Sequence, residues 1–223
     1  MALFLQWGWS YPETEIMDRD FFKSLDASKE LLYIPTAMVW WFSYEECHEY
    51  VASIIKSLWL TIKLVTCPYL KDLENADFWQ YWWIYIWWWN TFKLLYEIKK
   101  YWIDRKVIDF LNSGWNVCWW SAWAIIFWKN INTASDANIV WLVDTQGLHM
   151  TKNTSIWCHY KERKEYEIKE YISNHHIDVI ALYETTWLII QNDSIKAVGD
   201  WNVVYYSSTN KKIYNMNQFI ELL

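Results

Sequence analysis

Two periods of apolar spacing alternate along the first 180 residues. Short apolar runs predict strands near Leu3–Gln6, Leu31–Pro35, Thr61–Thr66, Ile84–Ile86, Asn116–Cys118 and Asp178–Leu182. Between them, apolar residues recur every three or four positions. That spacing predicts helices near Glu13–Leu25, Tyr44–Leu58, Thr91–Tyr101, Asp104–Asn112, Ala122–Phe127 and Lys161–Ser173. Strands alternating with helices imply βαβ units, and so an α/β fold with a mainly parallel sheet. After Tyr183 the pattern becomes short strands with turns: Trp187–Gln191, Ile195–Val198, Asn202–Tyr206 and Lys212–Tyr214. These predict a C-terminal β-hairpin or meander appended to the sheet. Neither a linker nor an internal repeat divides the chain, so residues 1–223 read as a single domain.

Composition changes this picture at the turns. Trp occurs 21 times and Gly 4 times. A chain this long ordinarily carries roughly 16 glycines. The tryptophans also fall where glycine belongs. Trp59 and Trp102 follow predicted helix ends, where a left-handed residue usually closes the helix. Asp200-Trp201 stands between two strand-like runs, the place of an Asp-Gly hairpin. Trp40-Trp41 and Trp87-Trp88-Trp89 occupy strand-to-helix loops, where glycine lets backbone amides approach a ligand. Tryptophans selected for packing would instead follow helix faces or alternate along strands. We read many of them as glycines encoded by UGA, a codon that some bacterial lineages translate as glycine and another variant code as tryptophan. Gly8, Gly114, Gly147 and Gly199 then use ordinary glycine codons. UGG codons at the turn positions would refute this reading.

Charge and cysteine content remove other classes. The net charge of −6 leaves no basic surplus to neutralise phosphates, which argues against a nucleic-acid partner. The opening run Met1–Gln6 lacks a basic start and reads as a strand, not a secretory leader. The aromatic run Trp79–Trp89 is interrupted by Gln80 and is too short to span a bilayer, so no membrane partner is expected. Cys47, Cys67, Cys118 and Cys158 show neither paired nor metal-type spacing and read as free thiols of a reducing cytoplasm.

With glycine at the suspect positions, two segments become specific. Ile84–Leu95 becomes a strand followed by G-G-G-N-T-F. Val117–Ile126 becomes a strand, then G-x-S-A-G-A, then a helix: a nucleophile elbow around Ser121. The elbow sequence alone is moderately specific, and its pairing with the upstream glycine run is more so. Carrying these motifs, the chain resembles the peptidase E family of aspartyl dipeptidases, related to cyanophycinase. The resemblance extends through I-P-T-A at Ile34–Ala37, S-D-A-N-I-V at Ser135–Val140, D-T-Q-G at Asp144–Gly147 and Cys158-His159-Tyr160. It implies a three-layer sandwich like that of the class I glutamine amidotransferases, with a flavodoxin-like sheet.

The resemblance also implies roles. Ser121 matches the nucleophile, His159 the general base and Glu184 the carboxylate that orients it. Cys158 replaces a family proline, and L-Y-E-T stands where the dipeptidase commonly reads L-P-E-G. Serine needs a base to become nucleophilic, and that base needs a carboxylate to fix its tautomer. The oxyanion hole would use the backbone amides of Ala122 and Trp89. As written, Trp89 would obstruct the site, and Trp119 and Trp123 would burden the elbow. Position 120 is expected to be a true tryptophan. On the substrate side the resemblance points to Asn90, Thr91 and Asp136, with Asp136 meeting an α-ammonium. Arg163, or Lys164 in a shifted alignment, would receive a carboxylate.

Taken singly, Ser121 is an ordinary turn serine, His159 a structural histidine and Glu184 a solvated loop acid. Asp178 begins its strand and so lies at the wrong end to replace Glu184. His149, His175 and His176 lack metal-ligand spacing, and Lys161–Glu170 reads as a solvated helix face. Together these observations predict a cytoplasmic serine exopeptidase, a monomer or homodimer, acting on short peptides with N-terminal aspartate. Neither metal nor cofactor is expected. A cyanophycinase-like β-aspartyl peptidase is the alternative enzyme. A catalytically silent binding protein of the same fold is the alternative if the tryptophans are real.

Overall fold

A computed structural model describes residues 3–6, 11–25, 30–35, 42–88, 90–114, 116–191 and 194–222. The first half builds β1 (Leu3–Gln6), α1 (Tyr11–Lys23), β2 (Glu30–Ile34), α2 (Tyr44–Ser57), β3 (Lys63–Thr66), β4 (Tyr81–Trp88), α3 (Thr91–Lys100) and α4 (Ile103–Asn112). The second half builds β5 (Asn116–Ser121), α5 (Ala122–Ile126), β6 (Thr154–Trp157), α6 (Glu165–His175), β7 (Asp178–Leu182), β8 (Thr186–Gln191), β9 (Ser194–Gly199), β10 (Val203–Tyr206), β11 (Lys211–Tyr214) and β12 (Phe219–Ile220).

Eight strands form a large sheet in the order β12-β9-β8-β1-β5-β4-β2-β3. The pairs from β1 through β3 are parallel, and β8, β9 and β12 join antiparallel. Because successive side chains leave opposite faces of a strand, each parallel strand feeds two cores. Leu3, Leu5, Leu32, Ile34, Ile84 and Val117 face one core with α3, α4 and α5. Phe4, Leu31, Tyr33, Tyr85 and Cys118 face the other with α1 and α2. The result is the expected three-layer α/β sandwich.

The C-terminal strands include the expected antiparallel pair appended to the large sheet, β8 with β9, but they do not run on as one continuous meander. A second sheet, β11-β10-β7-β6, takes up β6 and β7 as a parallel pair and β10 and β11 as antiparallel neighbours. Helix α6 covers one face through Ile168, Tyr171 and Ile172, while Ile156, Ile180, Leu182 and Val203 on the other face join the main core. Asp200-Trp201 is therefore not a hairpin turn. It carries the chain from β9 in the large sheet to β10 in the second sheet. Residues 183–185 make the opposite crossing, from β7 to β8. Asp200 N–H donates to Thr185 O (3.0 Å), and Thr186 Oγ1 donates to Trp201 O (3.3 Å), so the two crossings brace each other.

Three helix ends bear on the tryptophan question. Gly114 follows the C-cap of α4 with φ +98°. Trp59 and Trp102 occupy the same position after α2 and α3, with φ 59° and 58°. Trp141 is left-handed too, at φ 53°. A bulky side chain there is a conformational outlier that a core contact would have to justify. Trp59 is 95% exposed, Trp141 87% and Trp102 52%. Trp128 and Trp187 differ, being fully buried in the core. Trp40 and Trp41 lie outside the described residues.

Candidate active site

The strand that carries Ser121 runs longer than its apolar core suggests. β5 continues through Ser121, whose backbone pairs in register with Trp88 at the end of β4. α5 begins at Ala122, so Ser121 sits on an immediate strand-to-helix junction at the carboxyl end of the parallel sheet. That is the position where open α/β sheets place their sites. The side chains of Ser121 and Ala122, and the whole of Trp89, lie outside the described residues.

His159 and Glu184 come from the second sheet. β6 and β7 are parallel neighbours, and each ends shortly before its candidate residue. Tyr160 N–H donates to Leu182 O at 2.8 Å, which draws the loop after β6 against the end of β7. Behind the pair, the rings of Tyr160 and Tyr183 meet edge to face at 4.9 Å. His159 Nδ1 then lies 2.6 Å from Glu184 Oε1. This hydrogen bond from His159 holds the Glu184 carboxyl below its ordinary range; burial opposes the shift, and the charges of His159 and Lys161 reinforce it. The carboxylate holds the ring by its Nδ1 side, an arrangement that fixes the tautomer and orientation of an imidazole.

Left-handed backbone occurs within and beside this pair. His159 has φ 54° and Thr185 has φ 56°. Left-handed conformations are uncommon for ordinary residues and anomalous for a β-branched one, and they cluster at functional sites. Thr185 stands where the L-P-E-G pattern has glycine, so its φ supplies the physical reason for that glycine. Its support is Gly199, φ +117°, where an added Cβ would lie 2.2 Å from Thr185 O. Sequence reasoning missed Gly199 as a site-supporting residue. Its signal was present, because it is one of only 4 written glycines.

The substrate-side candidates gather at the start of α3. Asn90 caps the helix, accepting from Lys93 N–H at 2.9 Å, and its amide donates to Ala137 O at 3.0 Å. Thr91 gives both its backbone N–H (2.8 Å) and its hydroxyl (2.5 Å) to Asp136 Oδ2. Asn90, Thr91 and Asp136 are thus one hydrogen-bonded unit. Helix α3 itself packs against α5, the helix that follows Ser121. Arg163 is exposed on a short 3-10 turn, Glu162–Lys164. Tyr183 Oη donates to Glu162 Oε1 at 2.7 Å, tethering that turn beside Glu184. Lys164 instead pairs with Glu167 at 2.7 Å.

With this arrangement in place, comparison with known proteins is decisive. The sequence profile of peptidase family S51 matches residues 11–198. The chain belongs to peptidase family S51. As an S51 member it is a serine-type peptidase, a hydrolase. A crystal structure of a candidate peptidase E protein from Listeria monocytogenes EGD-e superposes with a TM-score of 0.67 at 20% identity, covering 90% of this chain and 98% of that one. A peptidase from an acI-B1 actinobacterium superposes with a TM-score of 0.70 at 17% identity, covering 99% and 96%. At these identities the two structures attest the fold. Among curated proteins, none matches the chain. No helix among the described residues is long and apolar enough to cross a membrane.

Proposed function

We propose that this S51 peptidase removes N-terminal aspartate from short peptides through a Ser121-His159-Glu184 triad and an acyl-enzyme. The observation that carries the reading is the His159–Glu184 hydrogen bond of 2.6 Å at the carboxyl ends of two parallel strands. Ser121, at the β5–α5 junction, supplies the nucleophile. His159 takes its proton and returns it to the leaving amine, and Glu184 stabilises the imidazolium formed between those steps. The backbone amides of Ala122 and position 89 receive the oxyanion. Asp136 meets the α-ammonium of the substrate, and Arg163 meets its carboxylate. The enzyme works in the cytoplasm on a small peptide, as a monomer or homodimer and without metal or cofactor.

The experiment is hydrolysis of aspartyl dipeptides by protein carrying glycine at the turn positions read as glycine. Release of aspartate is expected and should vanish in Ser121→Ala. Activity that survives that substitution would sink the mechanism. Preferential cleavage of β-linked aspartyl-arginine would redefine the substrate as cyanophycin-like.

A further inference from the structure

Thr91 is fully buried, so it has no surface to offer a peptide. Both of its donors nevertheless converge on one carboxylate oxygen, Asp136 Oδ2, at 2.8 Å from N and 2.5 Å from Oγ1. Asp136 belongs to the irregular segment between α5 and β6, 45 residues along the chain, and is only partly buried. Next to this contact, Asn90 Nδ2 binds Ala137 O at 3.0 Å, so two consecutive residues of each segment are joined. Among the described residues, Asp136 Oδ1 receives no hydrogen bond.

We propose that Thr91 is a positioning residue for recognition of a free peptide N-terminus. It holds Asp136 by Oδ2 and thereby presents Oδ1 to the substrate α-ammonium. This rests on the reading of Asp136 as the ammonium partner and assigns the selectivity to a residue the substrate never touches. The physical basis is the preorganisation of a charged acceptor. A carboxylate gripped at one oxygen by two donors loses little freedom when an ammonium arrives at the other. The negative charge also lies at the N-terminus of α3, whose first backbone N–H it satisfies. Removing the hydroxyl leaves a single donor and lets the carboxylate turn.

The test uses Asp-Leu and N-acetyl-Asp-Leu, each as substrate and as competing inhibitor, with the wild type, Thr91→Val, Thr91→Ser and Asp136→Asn. The wild type should favour the free amine. Thr91→Val should raise KM for Asp-Leu about tenfold, the value of one hydrogen bond to a charged group, with kcat little changed and the acetylated peptide unaffected. Thr91→Ser keeps the hydroxyl and should keep the wild-type preference, and melting curves establish that each variant is folded. If Asp136→Asn abolishes the preference but Thr91→Val does not, the role of Thr91 is refuted while the ammonium reading stands. An equal loss on both peptides in Thr91→Val would also refute it, since that is the signature of a structural residue. If Asp136→Asn leaves the preference intact, the ammonium reading fails and the proposal fails with it.

Discussion

His159 Nδ1 and Glu184 Oε1 meet at 2.6 Å although they follow different strands and lie 25 residues apart. What joins them is the parallel pairing of β6 and β7, fastened at the top by the Tyr160–Leu182 backbone bond. The orientation of the imidazole is therefore a property of the second sheet, whereas Ser121 belongs to the first. Glu184→Gln should lower kcat by roughly 10²–10⁴-fold with KM little changed, because a neutral amide neither selects the tautomer nor stabilises the imidazolium. Steady-state kinetics on an aspartyl dipeptide checks this.

The same pair gives a pH signature. The hydrogen bond from His159 lowers the Glu184 pKa from its ordinary 4.5. A lowered carboxyl contributes stability that is fully present above the unfolded-state pKa and is lost as pH falls through the folded value. The difference in melting temperature between wild type and Glu184→Gln should thus be constant above about pH 5.5 and shrink below about pH 4.5. Both side chains are more than a third exposed, so solvent screening keeps the difference small. Thermal melts across that range read it directly. A difference that widens on acidification would show that the carboxyl is not held down.

Much of this arrangement was legible in the sequence, and the losses have identifiable causes. Helix α2 begins at the predicted Tyr44 because Ser43 and Glu46 form a capping box, a local signal. Ser121, His159 and Glu184 each sat in a short motif. The second sheet was not legible, because partner choice among short strands is not local. β6 has four residues and owes its existence to pairing with β7. The chain between β9 and β10 read as a hairpin, but β9 pairs with β8 and β12 and β10 with β7 and β11. The bond from Thr91 to Asp136 spans 45 residues, and neither residue type announces it.

Thr185 and Gly199 make opposite predictions. Thr185 holds φ 56°, so Thr185→Gly should raise stability by about 1 kcal/mol, or about 2–4 °C in Tm, and preserve activity. Gly199 has φ +117° and no room for a Cβ against Thr185 O. Gly199→Ala should cost about 2 kcal/mol or more and also reduce kcat, since the displaced carbonyl directly follows Glu184. Scanning calorimetry with parallel activity assays separates the two. Equal Tm values for Gly199→Ala and wild type would remove the case that the sheet crossings brace the turn after Glu184.

The tryptophans divide by backbone and burial, and the division is testable residue by residue. Trp59, Trp102 and Trp141 are left-handed and exposed, and two of them repeat the place that Gly114 takes after α4. Glycine there removes a penalty of about 1–2 kcal/mol per position while forfeiting little buried surface. If UGA encodes glycine, peptides spanning these residues in the native protein will read glycine by mass spectrometry. Recombinant protein with tryptophan restored there should be less stable by about that amount. Trp128 and Trp187 have ordinary backbone conformations and fully buried side chains. Where tryptophan is native at these two positions, Trp→Gly should cost roughly 3–5 kcal/mol through the cavity it leaves. Glycine at 128 or 187 in the native protein would instead mean that the core there closes around a smaller residue. Tryptophan at 59 and 102 in the native peptides would refute the codon reading, because those helix ends are where glycine has the most to contribute.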